Sequence, residues 1–356
     1  MSGIEYPAPA PALPQVIQGR HYTSSHRELR LADAIYQDCH FDHLTWSECN
    51  LTNLRFVNCR FDANRFDRCE LTDLVYEDCS LATLKWVECE LRDLSFIGGE
   101  IRDAMWVGGL IQDTMISKAN ASDWRFDSVR AAHVSVILSE LDGVLLSGGR
   151  WSDASCIGTQ IGGMTVRSVE LENFIVGQSG CNQCTLDACR GINVRWIGSK
   201  IKRMTVTDCE LTQAAWSHCT WEDGQISSSR LRLASFDNAT LINLSIRNAD
   251  LSQSIFDHAS VIDSDMQGLC APRIAIRGAR LLRVQLEGAQ LRGLDARGAT
   301  LDHVGLHGCD CRNGLLIGQP RLAWRAADTR QATFVEASEE DDGPWRHRTQ
   351  PGARGV

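Results

Sequence analysis

The sequence predicts an all-β solenoid: one elongated body in which a short strand and a turn alternate many times. Three observations carry this expectation. First, an apolar residue recurs every five positions from Leu31 to Leu316, without insertion or deletion. Of these 58 anchors, 57 are Ala, Val, Ile, Leu, Met, Phe, Trp, Tyr or Cys, and Gly191 is the exception. A helix repeats near 3.6 residues and a strand at 2, so an unbroken period of five points to a stacked coil. Second, the residue two before each anchor is also mostly apolar or small, as at Leu44, Leu54, Leu74, Ala239, Ala249 and Ala299. Two inward positions spaced by two fit one short extended piece. Third, the other three positions are polar or Gly-rich, as an outer surface and its turns require.

Units such as Ala249-Asp250-Leu251-Ser252-Gln253, Ala239-Thr240-Leu241-Ile242-Asn243 and Ala299-Thr300-Leu301-Asp302-His303 resemble the A-(D/N)-L-x-x unit of pentapeptide-repeat proteins. That resemblance implies a right-handed quadrilateral parallel β-helix with four repeats per coil, so that residues twenty apart stack. The repeat body then makes about 14–15 coils and a rod roughly 70 Å long, at about 4.8 Å per coil.

The elements follow in order. Residues 1–28, with Pro7, Pro9, Pro11 and Pro14, read as a Pro/Ala-rich flexible leader. Residues 29–316 are the continuous solenoid. In its N-terminal third the pre-anchor residue alternates between Cys and Leu. Cys49, Cys69 and Cys89 precede Leu anchors; Leu44, Leu54 and Leu84 precede aromatic ones. Read every twenty residues, Trp46, Phe66, Trp86, Trp106 and Phe126 form one internal column, and Tyr36, Phe56, Tyr76 and Phe96 form another. Small beside large keeps a narrow core at constant volume. Each buried anchor contributes roughly 1.5–3 kcal/mol before entropy is subtracted. Residues 317–337 are a phase break and terminal coil. Ile317-Gly318-Gln319-Pro320 turns the chain, three extra residues enter, and a shifted frame appears at Leu322-Ala323-Trp324, Ala327-Asp328-Thr329 and Ala332-Thr333-Phe334. Residues 338–356, opening with Glu339-Glu340-Asp341-Asp342, read as a disordered polar tail.

Composition narrows the function. The chain has 356 residues and a net charge of -9. No run of 18 apolar residues offers a membrane span, and no basic-then-apolar N-terminal segment reads as a secretory signal. Of the fifteen cysteines, eleven occupy the pre-anchor position, while Cys156, Cys181 and Cys311 are anchors and Cys270 is out of phase. This phasing assigns them to a core as small buried hydrophobes, in a reducing, cytoplasmic protein. Stacked Cys such as Cys39 and Cys59 point in parallel, with Cβ atoms about 4.8 Å apart, too far for a favoured disulfide.

Motifs for nucleotide binding, metalloprotease chemistry and nucleophile elbows are missing. Cys181, Cys184 and Cys189 are the best zinc candidates, but they sit on inward positions of successive faces, lack a fourth ligand, and read as structural thiols. Asp113, His133 and Asp153 would stack on one face, where a solvent-facing column explains them without acid/base chemistry. The expectation is therefore a protein without enzymatic activity, cofactor or metal.

Charge is unevenly spread. Residues 29–160 hold 21 acidic and 12 basic side chains; residues 161–318 hold 16 of each. A candidate acidic binding column runs through Asp33, Asn53, Asp73, Asp93, Asp113, His133 and Asp153, then continues uncharged as Asn173, Asn193 and Gln213. Asp and Asn also suit turns, which accounts for each residue singly. The leading expectation is a non-catalytic protein–protein interaction scaffold for an unidentified protein partner, with no direct contact to nucleic acid or membrane. The Cys/Leu alternation with aromatic anchors is similar to repeat arrays of bacterial type VI secretion accessory proteins, which implies an adaptor or effector-associated role. The acidic half resembles pentapeptide-repeat proteins that mimic DNA and bind type II topoisomerases such as gyrase. Its charge, about one per 3.5 Å, is half the density of duplex DNA, about one per 1.7 Å.

Overall fold

The computed structural model describes residues 14–334. Within them the chain winds as a four-sided parallel β-solenoid, the repeat body making about 14 coils. The corner decides the winding. In nearly every repeat the residue two after the anchor is left-handed: φ is 51° at Asn53, 54° at Asp73 and 64° at Gly148. Asn, Asp and Gly tolerate this conformation, which explains why they recur there. Leu138 and Leu233 adopt it as well, with φ of 49° and 60°, because the coils above and below impose it.

Residues twenty apart then pair in register. Leu71 stands between Leu51 and Leu91, and Trp86 between Phe66 and Trp106. The pairs fall into three parallel sheets of 14, 15 and 12 strands. The first sheet covers two faces, because eight-residue strands such as Asn50–Val57 and Glu70–Glu77 bend around one corner. We number the faces by their anchors. Face one carries Leu51, Leu71 and Leu91; face two Phe56, Tyr76 and Phe96; face three Phe61, Leu81 and Ile101; face four Phe66, Trp86 and Trp106. Inside, the aromatic columns are stacked. Trp86–Trp106 and Trp106–Phe126 centroids are each 4.4 Å apart, and Tyr76–Phe96 are 4.9 Å apart. A further column on face two runs Trp196, Trp216, Phe236, Phe256. From about residue 213, the strands on faces one and two shrink to isolated bridges. The pre-anchor residue there is often Ala, and its amide closes the turn onto the preceding anchor, as in Ala239 to Phe236 (3.1 Å) and Ala289 to Leu286 (2.9 Å).

Both boundaries of the solenoid differ from the sequence reading. Residues 15–28, assigned to a flexible leader, contain a first coil with strands Gln15–Gln18, His21–Tyr22 and His26–Arg27. Ile17 pairs with Tyr36 and Tyr22 with Phe41, an offset of nineteen, while His26 pairs with Trp46 at twenty. The step from Tyr22 to His26 is four positions, so a rigid five-residue frame reads through this coil out of phase. At the other end, Asp310 bridges Asp328 and Leu315 bridges Thr333, an offset of eighteen. The terminal coil is thus two residues short, where three extra residues were expected; both shifts reach the same phase of five. A 3-10 helix, Arg321–Trp324, replaces one side of this coil and buries Trp324. The expected tail 338–356 lies outside the described residues.

The thiols are more than filler. The backbone N–H of a pre-anchor Cys donates to the sulfur of the next coil: Cys39 to Cys59, Cys49 to Cys69 and Cys69 to Cys89, each 3.4 Å. In turn the Cys59 thiol donates to the carbonyl of Tyr36 (3.3 Å), and the Cys69 thiol to that of Trp46 (3.2 Å). Where Cys is replaced, a hydroxyl takes over, as in Thr159 N–H to Ser179 Oγ (3.1 Å) and Cys209 N–H to Ser229 Oγ (3.1 Å). The position therefore needs a small group that both accepts and donates, because the corner amide has no strand partner. Burial raises the Cys156 and Cys311 thiols to about 12, so they stay protonated at neutral pH.

Two outcomes follow from this packing. Leu71, fully buried between Leu51 and Leu91, does not accept a charge. Leu71→Asp is expected to destabilise the rod by about 4 kcal/mol or more, read as loss of soluble protein or a large drop in the urea midpoint. Of fifteen thiols, Cys270 alone is not fully buried. A maleimide should label one thiol in the native protein and none in Cys270→Ser, the rest reacting after denaturation. Fast native labelling of many thiols would contradict the core.

Candidate functional site

The acidic residues Asp33, Asp73, Asp93, Asp113 and Asp153 do share one column, on the corner between faces one and two, and all are exposed. Each is a left-handed corner residue, with φ between 50° and 57°. Where an Asn enters the column, the amide bonds the carboxylate below: Asn53 Nδ2 to Asp33 Oδ1 at 2.7 Å and Asn173 Nδ2 to Asp153 Oδ1 at 2.9 Å. Asn193 then donates to Asn173 at 3.1 Å. The column is a turn ladder that alternates charge with amide at its ends and stacks three carboxylates, Asp73, Asp93 and Asp113, in its middle. Asp113, His133 and Asp153 occupy the same outer edge.

Much of the remaining acidity in this half is paired, on the faces or at a corner. Asp62 binds Arg60, Glu77 binds Arg55, and Glu100 binds Arg102; Glu48 meets Arg68 at 2.8 Å and Glu90 meets Arg92 at 3.2 Å. Such exposed pairs add about 0–1 kcal/mol each, but they cut the free charge available to a partner. Cys181, Cys184 and Cys189 are buried; the Cys189 thiol donates to the carbonyls of Val166 (3.3 Å) and Asp187 (3.4 Å).

The structure brings together a surface that the sequence reading passed over. On face two the outward residues of five successive coils are Ser95 and Ile97, Met115 and Ser117, Ser135 and Ile137, Ser155 and Ile157, and Ile175 and Gly177. None is charged, in a chain that is 23% charged overall. Ile97 pairs with Ser117 and that with Ile137; Ile137 pairs with Ile157, which meets Gly177, and Gly177 meets Ile197. Leu138 stands beside them on the far corner and is 61% exposed; Ile157 and Ile197 are 36% and 40% exposed. The patch is flat because parallel strands in register hold every side chain at one height. Small residues keep it so: a Cβ on Gly177 would come within 2.9 Å of the Ile157 side chain, and one on Gly158 within 2.9 Å of Leu138. Five coils span roughly 20 Å.

One edge of this patch is the carboxylate column, at Asp93, Asp113 and Asp153. The opposite corner carries Gly98, Lys118, Leu138 and Gly158. The result is an apolar plate with one acidic rim. A charge-free face on which Met115, Leu138 and Ile157 are exposed is a candidate interaction surface. Its sequence signal was present: the two outward positions of one face, sampled every twenty residues, lose charge between Ser95 and Gly177.

Comparison with known proteins agrees on the repeat. The family profile described as "Pentapeptide repeat region" matches residues 29–106, and that described as "Pentapeptide repeats (8 copies)" matches residues 228–268. No curated protein matches the chain. Among solved structures, full-length QnrB1, a plasmid-mediated fluoroquinolone resistance protein, is 16% identical over 52% of this chain and 94% of its own, with a TM-score of 0.31. HetL, a pentapeptide-repeat protein involved in heterocyst differentiation regulation from the cyanobacterium Nostoc sp. strain PCC 7120, is 15% identical over 75% of this chain and 89% of its own, with a TM-score of 0.22. The A-module of the Azotobacter vinelandii mannuronan C-5 epimerase AlgE4 is 8% identical over 84% of this chain and 91% of its own, with a TM-score of 0.31. None of these structural likenesses bears on activity. The two matched segments cover about a third of the chain, and over them, as in its five-residue coil, the chain is similar to pentapeptide-repeat proteins.

Proposed function

We propose that this protein is a non-catalytic cytoplasmic scaffold that binds a protein partner through the apolar plate of face two. The observation that carries the reading is the charge-free run from Ser95 to Gly177, flanked by Asp93, Asp113 and Asp153. A partner suited to it presents an apolar surface with Lys or Arg along one edge. The apolar contact supplies affinity, and the acidic rim supplies orientation and on-rate. The same rim repels phosphate, which supports a partner other than nucleic acid or an anionic membrane. Buried free thiols throughout the core support a reducing compartment. The type VI secretion role rests on the Cys/Leu alternation, and those residues are buried, so this reading names a docking face without naming a secretion machine.

A DNA-mimic role is the second reading, favoured by the stacked carboxylates of Asp73, Asp93 and Asp113. The ion pairing of neighbouring acids weighs against it, since a mimic needs free charge along its length.

Two variants separate the readings. Ile137→Glu with Ile157→Glu places carboxylates in the plate, at outward positions, and should leave the circular dichroism and melting curve unchanged. Partners recovered by affinity purification with the wild-type rod should be lost, with affinity reduced about tenfold or more. Asp73→Asn, Asp93→Asn and Asp113→Asn together keep the corner conformation and remove three charges. This variant should bind the same partner within about tenfold and show a flatter salt dependence. Inhibition of gyrase supercoiling by the wild-type protein, abolished in the triple Asn variant and kept in the double Glu variant, would replace the scaffold by the mimic.

A further inference from the structure

The first coil carries a constellation that the docking face does not use. Because this coil is one residue short, His21 lies in register with His40 of the next coil. Their rings stack with centroids 4.6 Å apart and planes 2° from parallel. Asp42 lies two residues beyond His40 on the same strand, so both side chains leave the same face. One ligand atom from each of His21, His40 and Asp42 lies within 4.8 Å of the others. His21 Nε2 is 3.9 Å from Asp42 Oδ2. A second carboxylate stands at the same spot, Asp62, whose Oδ2 is 2.8 Å from His40 Nε2. A third imidazole, His43, holds the other oxygen of Asp42 at 2.6 Å.

We propose that His21, His40 and Asp42 form a binding site for a divalent transition cation of the zinc class, which clamps the first coil to the second. The donor set is the argument. Two neutral imidazoles and a carboxylate suit zinc, and an exposed site leaves the remaining position to water. Carboxylate and imidazole partners around the ligands, here Asp62 and His43, orient them as second-layer groups do in metal sites. Zinc bonds of about 2.0–2.2 Å require donors to approach to roughly 3.3 Å. The needed closure falls to His21, whose side chain is 55% exposed and free to turn. The placement gives the ion a role. Among the described residues the first coil has one neighbour, is shortened, and two of its three strands, His21–Tyr22 and His26–Arg27, are only two residues long. A bond that spans the two coils holds this edge in register.

The test uses the full chain, stripped with a chelator and titrated with zinc by calorimetry, then with Co²⁺ as a visible-absorption probe. The expected result is one equivalent of zinc per chain and a Co²⁺ spectrum without thiolate charge-transfer bands. Affinity should fall about tenfold or more in His21→Ala and in His40→Ala. It should be unchanged in His303→Ala, which removes the imidazole of another exposed His–Asp pair, His303 with Asp302. Zinc should also slow hydrogen exchange at the amides of residues 15–22 in the wild type and not in His21→Ala. Circular dichroism confirms that each variant is folded, and Asp42→Asn serves as a shape-preserving replacement if His40→Ala is not. The absence of zinc binding by the wild type would overturn the proposal. So would binding that survives loss of His21 and His40, or a Co²⁺ spectrum that reports thiolate ligands.

Discussion

Every coil of this molecule depends on backbone hydrogen bonds to the residue about twenty positions away. The amide of Asn58 reaches the carbonyl of Glu77, and that of Arg60 reaches Cys39, each at 2.9 Å. No repeat can satisfy its own backbone, so each coil depends on the coils stacked against it. That constraint makes the period rigid. One inserted residue in one coil would turn an anchor outward and a polar residue inward, with a cost at that level and strain at the next. The 57 apolar anchors in 58 positions follow from it.

The same constraint explains the corner chemistry. A corner amide that points along neither strand ladder must find a side-chain acceptor, and the thiol, serine and threonine column provides it. Cys serves there because it is small enough for the core and polar enough for the turn. Among the described residues, seven buried indoles, including those of Trp86, Trp196 and Trp216, have no hydrogen-bond partner for their N–H. Stacking and area offset that cost of roughly 1–3 kcal/mol each. The core thus accepts local penalties to keep its columns full.

The two ends answer a different problem, because a parallel sheet that stops exposes its edge. The C-terminal end closes with the 3-10 helix Arg321–Trp324, the buried Trp324, and Arg321 over the ring of Phe334 at 5.1 Å. The first described coil is short by one residue, which brings its His21 beside His40 and Asp42 of the next coil. Between the ends the four faces are free to differ, since none of their outward residues bears on the core. Face two uses that freedom to shed charge over five coils. Face one, by contrast, alternates Glu170, Arg190, Glu210, Arg230 and Asp250 along its axis, with Arg230 and Glu210 3.7 Å apart. A partner that rejects charge would choose between these faces without any change in fold.

By itself, the sequence determined the period, the inward anchors from Leu31 to Leu316, the aromatic columns and the phase of the terminal coil. These are legible because each is a local pattern repeated against one physical demand, apolar residues inside. Tertiary structure decided what a rigid frame of five conceals. The first coil became visible only when Tyr22 paired with Phe41, since the four-residue step to His26 breaks the pattern. The thiol ladder needed atomic positions, because burial and hydrogen bonding of a Cys look alike in a sequence. The candidate site shows the same division. The carboxylate column was readable as a stack of Asp at one corner, but its left-handed φ values explain that composition as turn chemistry. The apolar plate and the His21–His40 pair arise from residues nineteen or twenty apart. They exist as surfaces only because parallel strands in register bring one outward position of every coil to the same height.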